Sequence, residues 1–179
     1  MLINEAGLVR AIKRAYKHGG YVVANLGDAV AIYTENWYIQ ANRALFSRKA
    51  LATIVEHMGM IPEKNVPTSI LKDEDPQLVL KEVAADDMSH WRGGERGEEV
   101  TLVPVIMQGY QIFQPPGGGS CWGVPLYLLD MIERDAAEHN PNLRLYATDR
   151  QSQDHREQFA PERAAWGLYV WTSQSTVYF

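Results

Sequence analysis

Three short strand-like runs, Tyr21 to Leu26, Ala29 to Thr34 and Trp37 to Ala41, are separated by only two residues each. The separators are Gly27-Asp28 and Glu35-Asn36. A two-residue connection can join only antiparallel neighbours, because parallel strands need a crossover of a dozen residues or more. Glycine accepts the positive φ that the first turn position of such a hairpin requires, so Gly27-Asp28 is the stronger of the two signals. This stretch therefore calls for an antiparallel meander, and a doubly wound parallel sheet has little room beside it.

The same logic recurs further on. Val100 to Met107 and Tyr110 to Phe113 flank Gln108-Gly109, another hairpin signal, and Pro104 places the first of these runs at a sheet edge or at a bulge. Leu143 to Ala147 reads as a strand. Trp166 to Thr172 and Thr176 to Phe179 read as a closing hairpin around Ser173-Gln174-Ser175.

Helical periodicity fills the gaps. Asn4 caps a helix to about His18, with Leu8, Ala11, Ile12 and Ala15 on one face and Gly19-Gly20 at its end. Ser47 caps a second helix carrying Leu51, Ile54, Val55 and Met58, stopped by Gly59 and Pro62. Residues 60 to 76 read as a loop. Asp75-Pro76 suits the start of a helix through Leu78, Val79, Glu82 and Val83, with a strand as the competing reading. Pro125 opens a further helix with Leu128, Leu129, Ile132 and Ala136 inward, which Asn140-Pro141 stops. The expected class is α+β: one domain over residues 1–179, a largely antiparallel sheet built from hairpins and a meander, and about three to four helices packed mainly on one face.

Charge narrows the partners. Seventeen Lys and Arg against 22 Asp and Glu leave a net charge of −5, which opposes a nucleic-acid binder. No window approaches the 18 uncharged apolar residues of a membrane span, and residues 1–17 lack the apolar run of a signal peptide. The single cysteine forms no internal disulfide and no cysteine zinc site, in keeping with a reducing cytoplasm.

That cysteine lies in the most unusual loop, Gln114-Pro115-Pro116-Gly117-Gly118-Gly119-Ser120-Cys121-Trp122-Gly123. Between a strand and a helix, glycine amides, a helix N-terminus and a thiol would meet at one point. A helix N-terminus lowers a thiol pKa and supplies oxyanion donors. Gly119 to Gly123 has the form G-x-C-x-G, which resembles a nucleophile elbow. With His155-Arg156-Glu157 downstream, it resembles the cysteine and His-x-Glu of class I glutamine amidotransferases. The resemblance implies Cys121 as nucleophile with His155 as its base; His90 is the other candidate base. The same amides at Gly117, Gly118, Gly119 and Ser120 suit an anion, although neither G-x-x-x-x-G-K-[ST] nor G-x-G-x-x-G is complete.

Asp86, Asp87 and His90, and Asp149, Asp154, His155 and Glu157, lack recognised metal-ligand spacing, so no metal and no cofactor is expected. Trp91-Arg92 beside Gly93-Gly94 has the composition of a recognition loop, since Trp and Arg dominate binding hot spots. With no catalytic motif intact, the expectation is a small soluble cytoplasmic protein that binds another protein. The alternative is a cysteine-dependent hydrolase or amidotransferase-like enzyme.

Overall fold

In the computed structural model, the described residues are 3–34, 36–79, 98–119, 121–133, 145–149, 166–171 and 175–178. Asn4 adopts an extended conformation and its side chain accepts from the Gly7 amide at 2.8 Å, which starts helix α1 (Glu5–His18). Ser47 does the same for helix α2 (Arg48–Met58), accepting from Ala50 at 3.1 Å, and Gly59 closes α2 at φ 79°. Helix α3 is the single turn Leu126–Leu129.

The strands run β1 (Tyr21–Asn25), β2 (Ala29–Tyr33), β3 (Trp37–Asn42), β4 (Thr68–Ile70), β5 (Gln77–Leu78), β6 (Glu98–Met107), β7 (Tyr110–Gln114), β8 (Trp122–Pro125), β9 (Leu145–Asp149), β10 (Trp166–Trp171) and β11 (Ser175–Tyr178). They lie in the order β5-β4-β1-β2-β3-β10-β11-β9-β6-β7-β8, and every ladder between them is antiparallel. The fold is α+β. The meander is present as expected: Leu26 donates to the Ala29 carbonyl across Gly27-Asp28, and Thr34 donates to that of Trp37. Gly27 stands at φ 85°, as the first position of that turn demands.

Strand alternation divides the meander into two buried faces. Val23, Val30, Ile32, Ile39 and Ala41 join Leu8, Ala11 and Ile12 of α1 and Ala50, Ile54 and Met58 of α2 in one core. Phe113, Trp122, Val124 and Leu128 extend this core to the other end of the chain's order. Ala24, Ala31, Tyr33 and Tyr38 form a second buried cluster on the opposite face.

Three expectations need correction. The helix from Asp75-Pro76 is instead strand β5, which pairs with β4, and Val79 donates to the Pro67 carbonyl. An unpaired strand edge prevails over a marginal helical turn, the competing strand reading being the one that forms; Glu82 and Val83 lie outside the described residues. The supposed loop 60–76 contains β4, recruited by the open edge of β1. The helix from Pro125 ends after one turn, because Ile132 bridges to Ile3 and the Met131 carbonyl accepts from Asn4 at 2.8 Å. Tertiary partners take the groups that a longer helix would have used, and Ala136 is not described.

Asn4 thus ties the chain's start to residues 131–133, its amide group also donating to Glu133 at 3.0 Å. Asn4→Ala removes a cap and this link, and is expected to cost about 1–2 kcal/mol. Chemical denaturation of the two proteins measures it; an unchanged midpoint at equal slope would contradict the capping role.

Candidate functional site

The glycine loop connects β7 to β8, so it is the turn of a hairpin. Gly118 donates to the Pro115 carbonyl at 3.0 Å, and Gly118 and Gly119 stand at φ 81° and 112°. An added Cβ at Gly117, Gly118 or Gly119 would meet nothing within 4 Å, so the three project into open space. Cys121 is exposed. Four strand residues, Trp122 to Pro125, separate it from α3.

The expected meeting of thiol and helix N-terminus is therefore absent. Trp122 and Val124 alternate inward with Gly123 and Pro125 outward, in register with Phe113 and Gln111 of β7. Pro125 does open helix α3, but it also ends β8, and the intervening strand keeps Cys121 away from the helix start. The structure places Cys121, Gly117, Gly118 and Gly119; Ser120, Trp91, Arg92, His90 and His155 lie outside the described residues. No group of three or more His, Cys, Asp or Glu that could hold a metal occurs among the described residues.

A different surface emerges on the neighbouring strands. The distal part of β6 and the start of β7 form an arm closed by Gln108-Gly109 at φ 50° and 82°. Leu102, Val105, Ile106, Met107 and Tyr110 are all exposed, Ile106 at 59% and Met107 at 60%. Of the nine exposed large hydrophobic residues among those described, these five fall within nine consecutive positions. Leu102 and Ile106 pair with Phe113 and Gln111, so they continue the core face of the sheet out past the core.

The arm also carries an irregularity at Pro104. Leu102 faces Phe113 and Ile106 faces Gln111, so Val103, Pro104 and Val105 lie opposite Ile112 alone. The buried Gln111 amide fills the gap, donating to the carbonyls of Val103, Val105 (3.2 Å) and Ile112 (3.3 Å). A bulge at Pro104 was legible in advance; the side chain that stabilises it was not. β9 pairs with β6 only through Glu98–Val100, leaving Thr101 to Met107 without a strand on that side among the described residues.

Sequence reasoning missed this surface, although a signal was available. Between Val100 and Leu129 there is no charged residue, in a chain of which 22% is charged. Solvated hairpins normally carry charge on exposed strands, which also guards against misassociation.

A second cluster joins three elements. His57, at the C-terminal end of α2, stacks on Tyr16 of α1 with ring centroids 3.9 Å apart. Its Nδ1 lies 3.0 Å from the Tyr21 hydroxyl of β1. Burial pushes the Tyr21 hydroxyl well above its ordinary range, so it stays protonated and donates to a neutral imidazole. Burial also lowers the His57 pKa, as does the nearby Lys13, while Glu56 opposes them. A depressed histidine means that the unfolded chain binds the proton more readily than the folded one. Stability is then full above about pH 6.5 and declines as pH falls through the folded-state value. The urea midpoint should accordingly drop more between pH 7.5 and 5.5 in the wild type than in His57→Phe, which keeps a ring on Tyr16. Parallel pH profiles would refute the linkage.

A shallow cleft of about 390 Å³ is lined in part by Gly20, Tyr21, Tyr33, Ser69, Glu74 and Gln77. The Ser69 hydroxyl on its wall donates to the Gln77 carbonyl at 3.3 Å. No helix among the described residues is long and apolar enough to cross a membrane. No family model matches the chain, and no curated protein or solved structure shows significant similarity to it.

Proposed function

We propose that this chain acts by binding another protein, as a non-enzymatic accessory protein of the cytoplasm. The observation that carries this reading is the β6–β7 arm, a charge-free hairpin with five exposed apolar side chains, of which Leu102 and Ile106 continue the core face and Met107 and Tyr110 cover the opposite one. A contiguous exposed apolar patch costs solubility and marks an interaction site on a folded domain. The absence of Lys and Arg from the arm favours a protein over a polyanion. The rival, a hydrolase or amidotransferase-like enzyme using Cys121 and His155, loses the helix N-terminus on which its thiol activation rested.

The test places a photo-crosslinking phenylalanine analogue at Ile106, and at exposed Lys17 as control, in cells that make the protein. A discrete protein adduct through position 106 and none through position 17 is the expected result. Equal labelling at both positions would overturn the reading. Repeating the capture with Trp91→Ala and Arg92→Ala reports whether those residues contribute.

A further inference from the structure

We propose that His57 is a pH-operated latch: it fastens the last turn of α2 to α1 and β1, and releases that turn on acidification while the sheet stays folded. Tyr16 of α1 stacks on the imidazole with ring centroids 3.9 Å apart and planes 9° from parallel. The Tyr21 hydroxyl of β1 lies 3.0 Å from Nδ1. One ring thus joins three elements. The latch sits on a different part of the chain from the β6–β7 arm and does not depend on what that arm binds.

Tyr21 makes the joint sensitive to a single proton. It is buried, and His57 Nδ1 is the one hydrogen-bond partner of its hydroxyl among the described residues. In the neutral ring Nδ1 accepts from that hydroxyl, whereas imidazolium has two donors and no acceptor. The hydroxyl oxygen can accept from the new N–H, but its own hydrogen is then left without an acceptor. A buried donor in that position costs more than an ordinary hydrogen bond contributes. The charges around the ring divide: Lys13 on α1 opposes the cation, while Glu56 and the C-terminal end of the helix dipole, both on α2, favour it. Burial prevails, and the closed form holds the imidazole neutral to lower pH than a solvated one.

Packing confines the release to a short segment. The first half of α2 is anchored by the fully buried Ala50 and Ile54, and by Ser47, which donates to Glu5 at 2.7 Å. From Val55 to Ile61, by contrast, Met58 is the only buried residue. Beyond them the chain is held again at Asn25, whose side chain donates to the Pro62 carbonyl at 2.9 Å and whose carbonyl accepts from Asn65 at 2.8 Å. His57 and Met58 therefore attach a short span between two firm points. Without His57, one side chain remains, and a span with so little buried surface opens below the cost of global unfolding.

Amide hydrogen exchange on the full chain at pH 7.5 and 5.5, corrected for intrinsic rates, tests this. With an ordinary imidazole pKa of about 6.5 in the open form, opening of the amides of His57, Met58 and Gly59 should increase by about tenfold across that interval. Amides of β1 to β3 should keep their protection. His57→Phe retains a ring on Tyr16 but neither accepts nor titrates, so its last turn should open more readily at both pH values and equally at both. Tyr21→Phe keeps the titrating histidine but has no hydroxyl to strand, so its response should shrink to roughly threefold or less.

Wild-type protection at residues 57–59 that is equal at the two pH values overturns the latch. A loss shared in full by β1 to β3 overturns it as well, since the acid response would then be unfolding of the whole chain. A full wild-type response in Tyr21→Phe also overturns it, because burial of the imidazole alone would account for the effect. None of these outcomes touches the protein-binding reading, which the crosslink at position 106 decides separately.

Discussion

Replacing Gly7 by alanine is expected to destabilise the protein by on the order of 3 kcal/mol, despite improving helix propensity. Gly7 lies in the first turn of α1 and is buried against the segment that follows α3. A Cβ there would lie 1.7 Å from the Asp130 carbonyl oxygen, 2.3 Å from its carbon and 2.9 Å from the Met131 nitrogen. All three are main-chain atoms, so no side-chain rotation relieves the clash. Alanine gains at most about 1 kcal/mol over glycine in a helix interior, and less in a first turn. Overpacking against fixed backbone exceeds that gain. Helix α1 must lift off, and the Asn4–Met131 hydrogen bond and the Ile3–Ile132 bridge go with it. For a chain of this length, the thermal midpoint should fall by about 6–12 °C. Ala6→Gly, one residue earlier at an exposed position, serves as control and should cost under about 1 kcal/mol. If Gly7→Ala matched or exceeded wild-type stability, the close approach of α1 to residues 130–131 would be wrong.

This contact illustrates what the sequence could and could not disclose. Local chemistry was readable: Asn4 and Ser47 as caps, Gly59 as a terminator, and Gly27-Asp28 and Gln108-Gly109 as hairpin turns. Each depends on a few residues whose preferences are set by their own side chains and φ angles. Long-range pairing was not readable, because it depends on which edges remain open once the local elements form. Gln77 and Leu78 carry no marked strand signal and pair only because β4 offers an edge. Insertion of β10 and β11 between β3 and β9 has no local signature at all. The helix expected after Pro125 stops after one turn for the same reason, since the Ile3–Ile132 bridge and the Asn4–Met131 hydrogen bond span 129 and 127 residues.

The candidate site divides the same way. Cys121 drew attention because it is chemically singular, yet its surroundings are an exposed hairpin turn. The arm escaped attention because its signal is an absence: no charge between Val100 and Leu129. Val100 to Met107 reads as a strand at a sheet edge or bulge, which leaves open which of its side chains meet solvent. Their exposure became apparent only once β9 was seen to pair with β6 no further than Val100.

Gln111→Glu is expected to have the larger effect on that arm, and its direction with pH is fixed by electrostatics. The wild-type amide is buried and its two N–H groups face three carbonyl oxygens, one hydrogen being shared between two of them, which identifies the atom facing them as nitrogen. A carboxylate in the same place donates nothing and turns negative charge toward three carbonyl oxygens. Leaving a charge buried and uncompensated costs about 3–5 kcal/mol, against the roughly 1 kcal/mol usual for one lost hydrogen bond. Desolvation and the carbonyl dipoles both favour the protonated acid, raising its folded-state pKa above the unfolded value of about 4.3. Protonation therefore restores stability, which should recover as pH is lowered from 7 toward 5. The protonated acid has one donor for three acceptors, so recovery stops short of wild type. Gln111→Leu has no charge and should be intermediate and nearly independent of pH. Amide hydrogen exchange localises the damage: protection of Met107 to Phe113 should drop while that of β1 to β3 is retained. A Gln111→Glu protein as stable as wild type at pH 7, or one that loses further stability on acidification in excess of the Leu variant, would mean that Gln111 does not hold the Pro104 bulge together.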